Sequence, residues 1–285
     1  MGIVVQTNVT SLIAQNNLTT ATKRMDQAME RMTTGYKINT AKDDAAGLYV
    51  ATSLDKNIRG SEIAQKNVQM GNDMISVAEG DLSGIQDNLL RIRDLALTGA
   101  NGIYDQASLD AIKAEVEARV AEIDRVANVS EYNGKKLLNG DVEKITLQVG
   151  ANTSENDIID IEGVFGKATA SALGVATDTI TTAFAIVDGE DTTEKLHAFV
   201  DTVDVALEDV QTRRTEIGAI QNRLDSAAQS LTTTIENLTS SKSTIMDADI
   251  AAESTEYINA QILQQAAGAL LVQANQTPQI ALSLI

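Results

Sequence analysis

The sequence predicts a mainly α protein: a long antiparallel helical rod of the coiled-coil or bundle type, with one small β-hairpin and with its N- and C-terminal helices paired. Three observations lead to this fold class. The 285 residues include one proline and no tryptophan, and only 3% are aromatic, which favours long unbroken helices. Apolar residues recur at alternating spacings of three and four over four stretches, as in helices that pack along one seam. One short region switches to a period of two.

The four helical stretches come in a clear order along the chain. The first carries its seam on Ala14, Leu18, Ala21, Met25, Ala28 and Met32. The second extends from Val68 to Ala96, with Gly71 at one seam position, and a shorter third extends from Leu109 to Ile123. The fourth extends over residues 194–245, and as one helix it would be roughly 75 Å long. Three polar residues interrupt its seam and are expected to set helix alignment at a cost in stability: Arg214, Gln221 and Lys242.

Breaks between the helices are marked by turn-forming residues. Residues 98–102 end the second helix, and Tyr132-Asn133-Gly134 are expected to end the third. The period of two near residues 143–161 predicts a β-hairpin with its turn at residues 150–157. Residues 162–193 have the least pattern of the whole chain, and we expect a short variable excursion of loop and short helix there.

The two ends of the chain have opposite charge and strongly apolar helices. Residues 1–40 have a net charge of +2 and residues 246–285 a net charge of −4, which suits helices lying side by side. In a helix over residues 249–276 the large apolar side chains lie around the whole circumference. A helix that is apolar all round must be buried on several sides. Its partners are therefore expected to include other copies of the chain.

Several classes of function are disfavoured by composition and by motif. A net charge of −18 argues against nucleic acid and anionic membranes as partners. There is no cysteine, the single histidine His197 has no second His or Cys with which to form a metal site, and no catalytic motif or cofactor-binding motif occurs. The pair Asp43-Asp44 is explained by helix capping. We therefore expect a protein that is not an enzyme and binds no cofactor or metal.

Three stretches identify a family. Residues 34–48, which read Thr-Gly-Tyr-Lys-Ile-Asn-Thr-Ala-Lys-Asp-Asp-Ala-Ala-Gly-Leu, resemble the signature of bacterial flagellins. So do residues 109–140, with Glu122-Ile123-Asp124-Arg125, and the C-terminal residues 261–284, with Ala274-Asn275-Gln276-Thr277-Pro278-Gln279. The resemblance covers nearly the whole chain outside residues 162–193, and it is to a minimal flagellin without large outer domains.

The resemblance implies a structural subunit that polymerises in many copies into the extracellular flagellar filament, for motility. Export would be by a flagellar type III system, without a cleavable signal peptide; the N-terminus has neither the basic nor the apolar region of such a peptide. The family organisation implies an inner coiled-coil domain of residues 1–44 and 246–285, and a rod domain of residues 45–245. Expected partners are an export chaperone on the C-terminal helix and the filament cap and junction proteins. The residues expected to serve polymerisation and core packing are Leu18, Met25, Met32, Ile250, Ile258, Ile262, Leu263, Leu270, Leu271 and Val272.

The resemblance also implies a receptor-binding site and leaves one alternative function. Flagellins that Toll-like receptor 5 detects present an Arg, a Leu and a Glu on the rod domain, and the matching residues are Arg91, Leu95 and Glu115. The other interpretation of these three residues is that they serve subunit packing alone. The alternative function is that of a hook–filament junction protein, which shares the coiled-coil ends.

Overall fold

The structure is a computed structural model that describes residues 7–185 and 192–282. Within these ranges the chain forms six α-helices and two separate two-stranded antiparallel sheets, so the predicted mainly α fold is confirmed. The elements in chain order are α1 Val9–Thr34, α2 Ala45–Gly99, α3 Gln106–Val129, β1 Glu131–Tyr132, β2 Lys135–Lys136, β3 Lys144–Gln148, β4 Ile158–Glu162, α4 Thr177–Ala183, α5 Thr192–Met246 and α6 Ile250–Leu282.

The chain divides into two compact units. The terminal unit comprises Met1–Ile58 and Glu236–Ile285, and the central unit comprises Arg59–Ile235. Helices α2 and α5 contribute residues to both units, while α1 and α6 belong to the terminal unit alone.

The core of the central unit is the helical seam that the sequence predicts. In α2 the seam residues from Val68 to Ala96 that follow the three–four spacing are almost completely buried, and in α5 the same holds for the apolar members of the series from Val203 to Leu224. Burying an aliphatic side chain of this size contributes about 1.5–3 kcal/mol. The repeated seam is therefore the main source of stability in this unit.

Polar residues in the α5 seam have partners on α2. The guanidinium of Arg214 donates a hydrogen bond to Gln86 and lies 3.7 Å from a carboxylate oxygen of Glu79. The amide of Gln221 donates to the same Glu79 at 3.4 Å. Because a polar seam residue keeps its partner in only one alignment of the two helices, these contacts oppose sliding of α5 along α2.

The β3–β4 hairpin packs against α2 where that helix has glycines. Its register pairs Lys144 with Glu162 and Gln148 with Ile158, which agrees with the predicted hairpin and turn. A methyl group at Gly71 would lie 2.5 Å from the side chain of Leu147, and one at Gly60 would lie 2.9 Å from Ala151. Gly71 thus occupies a seam position in α2 because the hairpin, rather than another helix, covers it.

A second, shorter hairpin follows α3 and was not predicted. Strand β1 pairs with β2 across Asn133 and Gly134, which both have positive φ angles of 49° and 80°. An Asn-Gly pair favours this tight turn because both residues tolerate the left-handed conformation. The expectation that Tyr132-Asn133-Gly134 ends α3 was wrong in detail: the helix ends at Val129, and the Asn-Gly pair turns the hairpin that follows.

The segment predicted as an unpatterned excursion supplies part of the central core. Of residues 162–193, positions 186–191 lie outside the described residues. In the rest, Val164, Phe165, Ile180 and Phe184 are almost completely buried. The ring of Phe184 meets that of Phe199 edge-on, with centroids 6.1 Å apart. The segment is indeed loop with the short helix α4, but it is packed rather than peripheral.

Replacing Phe165 tests this packing. We expect Phe165→Ala to lower the free energy of unfolding of the central unit by about 3–5 kcal/mol, because the removed ring is completely buried. Chemical denaturation followed by circular dichroism measures the change. The matched control is Ile103→Ala, at an exposed position, which is expected to change stability by less than about 0.5 kcal/mol. A loss of unfolding free energy in Phe165→Ala as small as that in Ile103→Ala would show that the segment is not part of the core.

Candidate assembly surface and receptor-binding site

Helices α1 and α6 of the terminal unit pair in antiparallel fashion. The side-chain amide of Asn8 donates to the carbonyl of Ala274 at 2.8 Å, while at the other end Arg31 and Glu253 form an ion pair of 3.0 Å. Between them, Gln264 donates to the hydroxyl of Thr22 at 3.0 Å. The predicted pairing of the terminal helices is therefore confirmed. The ion pair joins a cationic side chain of α1 to an anionic side chain of α6.

The seam between these two helices is made of alanine. On α1 the buried residues are Ala14, Ala21 and Ala28, and on α6 they are Ala260, Ala267 and Ala274. Both sets repeat every seven residues, which is the repeat of a coiled coil. Larger residues alternate with them and are half-buried: Leu18, Met25 and Met32 on α1 and Tyr257, Gln264 and Leu271 on α6. Because alanine is small, the helices bury little apolar area in the seam itself.

The large apolar residues of the pair mostly face solvent. On α6 the exposed fractions range from 49% to 62%, for Ile250, Ile258, Ile262, Leu263, Leu270 and Val272. On α1, Val9, Leu12 and Ile13 are exposed to a similar extent. Of the ten predicted packing residues, these six of α6 are therefore exposed, and Leu18, Met25, Met32 and Leu271 are half-buried.

After its first two turns, the exposed face of α6 has no charged residue to keep it in water. From Tyr257 to the C-terminal Ile285 the sequence contains no Asp, Glu, Lys or Arg. The centres of protein interfaces are depleted of charge in the same way, and a contiguous exposed apolar surface marks an interaction site. This surface therefore has the composition of an interface rather than of a solvated face.

A groove of about 320 Å³ runs along one side of the α1–α6 pair. Its floor contains Ala14, Ala21 and Ala267 of the seam. Its walls are Asn17, Thr20 and Arg24 from α1 and Leu263, Ala266 and Leu270 from α6. The alanine seam leaves the groove open, since larger seam residues would fill it.

The turn between α1 and α2 is held by the two neighbouring carboxylates Asp43 and Asp44. Asp44 caps α2 by accepting hydrogen bonds from the backbone N–H groups of Ala46 and Gly47. Asp43 accepts three hydrogen bonds within the turn, and the one from the backbone N–H of Thr40 is the main reason that its pKa lies below the ordinary value. These contacts fit the structural role expected for the pair.

The same turn is tied to the junction between α5 and α6. The backbone N–H of Lys37 donates to the carbonyl of Met246 at 2.6 Å, and that of Ala248 donates to the carbonyl of Gly35 at 2.9 Å. Asp249 then caps α6 by accepting from Ala251 and Ala252. The entry and exit of the helical pair are thus joined by backbone hydrogen bonds.

The three predicted receptor-site residues lie in the central unit, and two of them are in direct contact. The guanidinium of Arg91 on α2 donates two hydrogen bonds to one carboxylate oxygen of Glu115 on α3, at 2.8 and 3.0 Å. Both side chains are substantially exposed, at 50% and 38%. Leu95, one turn further along α2, is buried with an exposed fraction of 7%.

Among residues 7–185 and 192–282 no cluster of three His, Cys, Asp or Glu side chains has a geometry that could hold a metal ion. Across the same ranges, the helices are all too short or too polar to cross a membrane.

An alanine seam beside a large exposed apolar surface is typical of a subunit that packs against other chains. Comparisons with known proteins identify the family. A model of the bacterial flagellin N-terminal helical region matches residues 5–143, and a model of the C-terminal helical region matches residues 200–285. The chain belongs to the bacterial flagellin family.

Individual relatives agree with this assignment. The flagellin of Xenorhabdus nematophila is 38% identical over 316 residues, which covers 100% of both chains. The flagellin of Bacillus subtilis strain 168 is 35% identical over 298 residues and covers 98% of each chain. A solved structure described as a flagellar hook-associated protein of Vibrio parahaemolyticus has a TM-score of 0.61 and 16% identity. It covers 71% of this chain and 99% of its own, and it shows the likeness of fold alone.

Family membership establishes the general function of the chain. The chain is a structural subunit that polymerises into the extracellular filament of the bacterial flagellum, and it is not an enzyme. The alanine repeat of α6, which pairs this helix with α1, was not predicted from the sequence. Its signal in the sequence is the seven-residue spacing of Ala260, Ala267 and Ala274.

Enlarging one seam alanine tests the helix pair. We expect Ala267→Leu to destabilise the α1–α6 pair by about 1–3 kcal/mol, because the larger side chain cannot fit between closely packed helices. Hydrogen exchange of α6 amides in the monomer measures this loss of protection. The control is Ala266→Leu, at the adjacent exposed position, which is expected to leave protection unchanged. An unchanged exchange rate in Ala267→Leu would rule out a tight alanine seam.

Proposed function

We propose that residues 1–44 and 246–285 form the inner coiled-coil domain that builds the filament core, and that residues 45–245 form the rod domain outside it. The observation that carries the proposal is the exposed apolar face of α6, which has no charged residue from Tyr257 onward. An uncovered surface of this composition is costly in water, and association with other copies removes it from solvent. The pairing of α1 with α6 supports the domain division, because these helices contact each other along their length.

The packing residues then have two roles. Leu18, Met25, Met32 and Leu271 are half-buried beside the alanine seam, so they stabilise the helical pair within one subunit. The exposed residues reach neighbouring subunits, and burying each of them on assembly contributes about 1–2 kcal/mol, since half of each side chain is already covered. These exposed residues are Ile250, Ile258, Ile262, Leu263, Leu270 and Val272.

A charge on this face tests the role of α6 in assembly. We expect Leu270→Glu to abolish seeded filament growth, because polymerisation would bury an unpaired carboxylate. Electron microscopy and sedimentation of the polymer measure the outcome. The control is Leu270→Met, which keeps the position apolar at similar volume and is expected to polymerise normally. Normal filament growth by Leu270→Glu would show that this face stays in water in the polymer.

The hook–filament junction is the alternative role, and the length of the polymer separates the two. A filament subunit adds indefinitely to its own ends, whereas a junction protein forms a layer of limited size between two other polymers. The match of both flagellin models and the full-length flagellin relatives favours the filament. Growth of the unmodified chain that stops at short oligomers, despite seeding, would favour the junction role.

We also propose that the unassembled subunit is recognised by Toll-like receptor 5 through the exposed ion pair of Arg91 and Glu115. Both side chains are accessible on adjacent helices, and a planar guanidinium held by a carboxylate presents its remaining N–H groups in a defined direction. Leu95 is buried, so its contribution is to support α2 beneath the pair rather than to offer a large apolar contact.

Reversal of the charge at Arg91 tests this recognition. We expect Arg91→Asp to raise the half-maximal concentration of receptor activation by about tenfold or more, since a central interface arginine contributes 2 kcal/mol or more when it is a hot spot. A reporter-cell assay with purified monomer measures the response. The matched control is Arg93→Asp, also ion-paired on α2, through Asp204 rather than Glu115. Full signalling by Arg91→Asp would exclude the site.

The remaining partners follow from the same uncovered surface. Before assembly, α6 exposes apolar residues that favour non-specific aggregation, and an export chaperone that covers this helix would prevent it. The filament cap and the junction proteins are expected to contact subunits at the two ends of the polymer, where one face of each terminal subunit has no neighbouring copy.

A further inference from the structure

Three asparagine–glycine pairs carry a chemical reactivity that assembly of the chain does not use. They are Asn101-Gly102, Asn133-Gly134 and Asn139-Gly140. In such a pair the backbone nitrogen of glycine attacks the side-chain carbonyl carbon of asparagine, because glycine has no Cβ atom to hinder the approach. The new C–N bond closes a five-membered succinimide ring, and ammonia leaves. Water then opens the ring to aspartate or isoaspartate, so the net reaction consumes one water, releases one ammonia and replaces an amide by a carboxylate.

The second pair is held away from this geometry by the β1–β2 hairpin. Asn133 and Gly134 both have positive φ angles, and Tyr132 pairs with Lys135 across them. In the left-handed conformation ψ lies near about +47°, which turns the Cβ atom of asparagine almost opposite to the nitrogen of the next residue. The side-chain carbonyl carbon of Asn133 therefore cannot reach the nitrogen of Gly134 while the hairpin is closed.

The third pair is held by hydrogen bonds of its own side chain. The Oδ1 atom of Asn139 accepts from the backbone N–H of Asp141 at 2.9 Å, and its Nδ2 atom donates to the carboxylate of Asp141 at 2.7 Å. Gly140 has a φ angle of 90° and packs closely against the side chain of Lys167. Both ends of the Asn139 amide are thus fixed to a residue beyond Gly140, and ring closure requires that both hydrogen bonds break.

The first pair has none of these restraints. Asn101 and Gly102 are exposed in the connection between α2, which ends at Gly99, and α3, which begins at Gln106. Among residues 7–185 and 192–282, neither the side-chain amide of Asn101 nor the backbone N–H of Gly102 has a hydrogen-bond partner. Asn101 forms hydrogen bonds through its backbone alone. Its side chain can therefore rotate until the carbonyl carbon meets the nitrogen of Gly102.

We propose that Asn101 is a site of spontaneous deamidation in the folded subunit, and that the fold protects Asn133 and Asn139 from the same reaction. Deamidation adds one negative charge, and isoaspartate also lengthens the main chain by one carbon atom. Because the change falls in the connection outside α2 and α3, both helices keep their hydrogen bonds. The modified subunit accumulates as a folded and more acidic species.

Peptide mass spectrometry tests the proposal on the unmodified full-length chain. Trypsin cuts after lysine and arginine, so the three pairs fall in separate peptides of residues 94–113, 126–135 and 137–144. Monomer is kept at mildly alkaline pH, either folded or unfolded in urea, and is digested after increasing times; fragmentation distinguishes Asn133 from Asn128 in the second peptide. We expect Asn101 to deamidate at similar rates in both samples. Asn133 and Asn139 are expected to react about tenfold or more slowly in the folded chain, because the reaction there waits for local opening.

The matched control is Gly102→Ala. A Cβ atom at this position would meet no atom closer than Oγ1 of Thr193, at 4.0 Å, so the fold accommodates it, while the methyl group hinders attack by the backbone nitrogen. We expect this change to slow deamidation of Asn101 severalfold in both samples and to leave Asn133 and Asn139 unaffected. Strong protection of Asn101 in the folded chain would overturn the proposal, and so would equal rates at all three pairs in that sample. A lower melting temperature of the deamidated fraction, isolated by anion exchange, would show that the change disturbs the helices.

Discussion

The contact on which the terminal unit depends is the alanine seam between α1 and α6. Small side chains at seven-residue spacing bring the two helices together while burying little apolar surface. Most of the larger apolar residues of α6 are consequently not buried within the subunit. A seam of leucine would have made a stable pair in isolation, with its apolar area buried and its surface polar. The alanine seam instead leaves isoleucine, leucine and valine side chains on the outside, and this is the surface that we propose other copies cover.

The central unit, in contrast, buries its large aliphatic residues within one chain. Helices α2 and α5 carry long series of aliphatic residues that are almost completely buried, and the β3–β4 hairpin and the segment after it cover what the helices leave open. Arg214 and Gln221 hold the alignment through Gln86 and Glu79. The core of this unit is therefore supplied by one chain, whereas we propose that neighbouring copies cover the exposed apolar surface of the terminal unit. The difference fits the division that we propose, in which the terminal unit assembles with other copies and the central unit belongs to the rod domain.

Several features followed from sequence reasoning because they depend on local rules. The helical seams, the hairpin over residues 144–162 and the capping role of Asp43 and Asp44 each come from a period or a motif that short-range geometry determines. The second hairpin was missed because an Asn-Gly pair after a helix was interpreted as a helix stop. The packing of Phe165 and Phe184 was missed because loop residues that enter a core through tertiary contacts have no period.

The sequence by itself determined that this protein has long helices, that its C-terminal helix is apolar on every side, and that its motifs are those of flagellins. Only the tertiary structure decided which apolar residues are inside. A helical wheel shows a continuous apolar circumference around α6, but it cannot show that α1 covers the alanine side and leaves Ile262 and Leu270 in solvent. Likewise the spacing along the chain could not show that Arg91 and Glu115 meet while Leu95 is buried. Burial depends on which helix lies opposite, and that is a property of the packed chain rather than of any one segment.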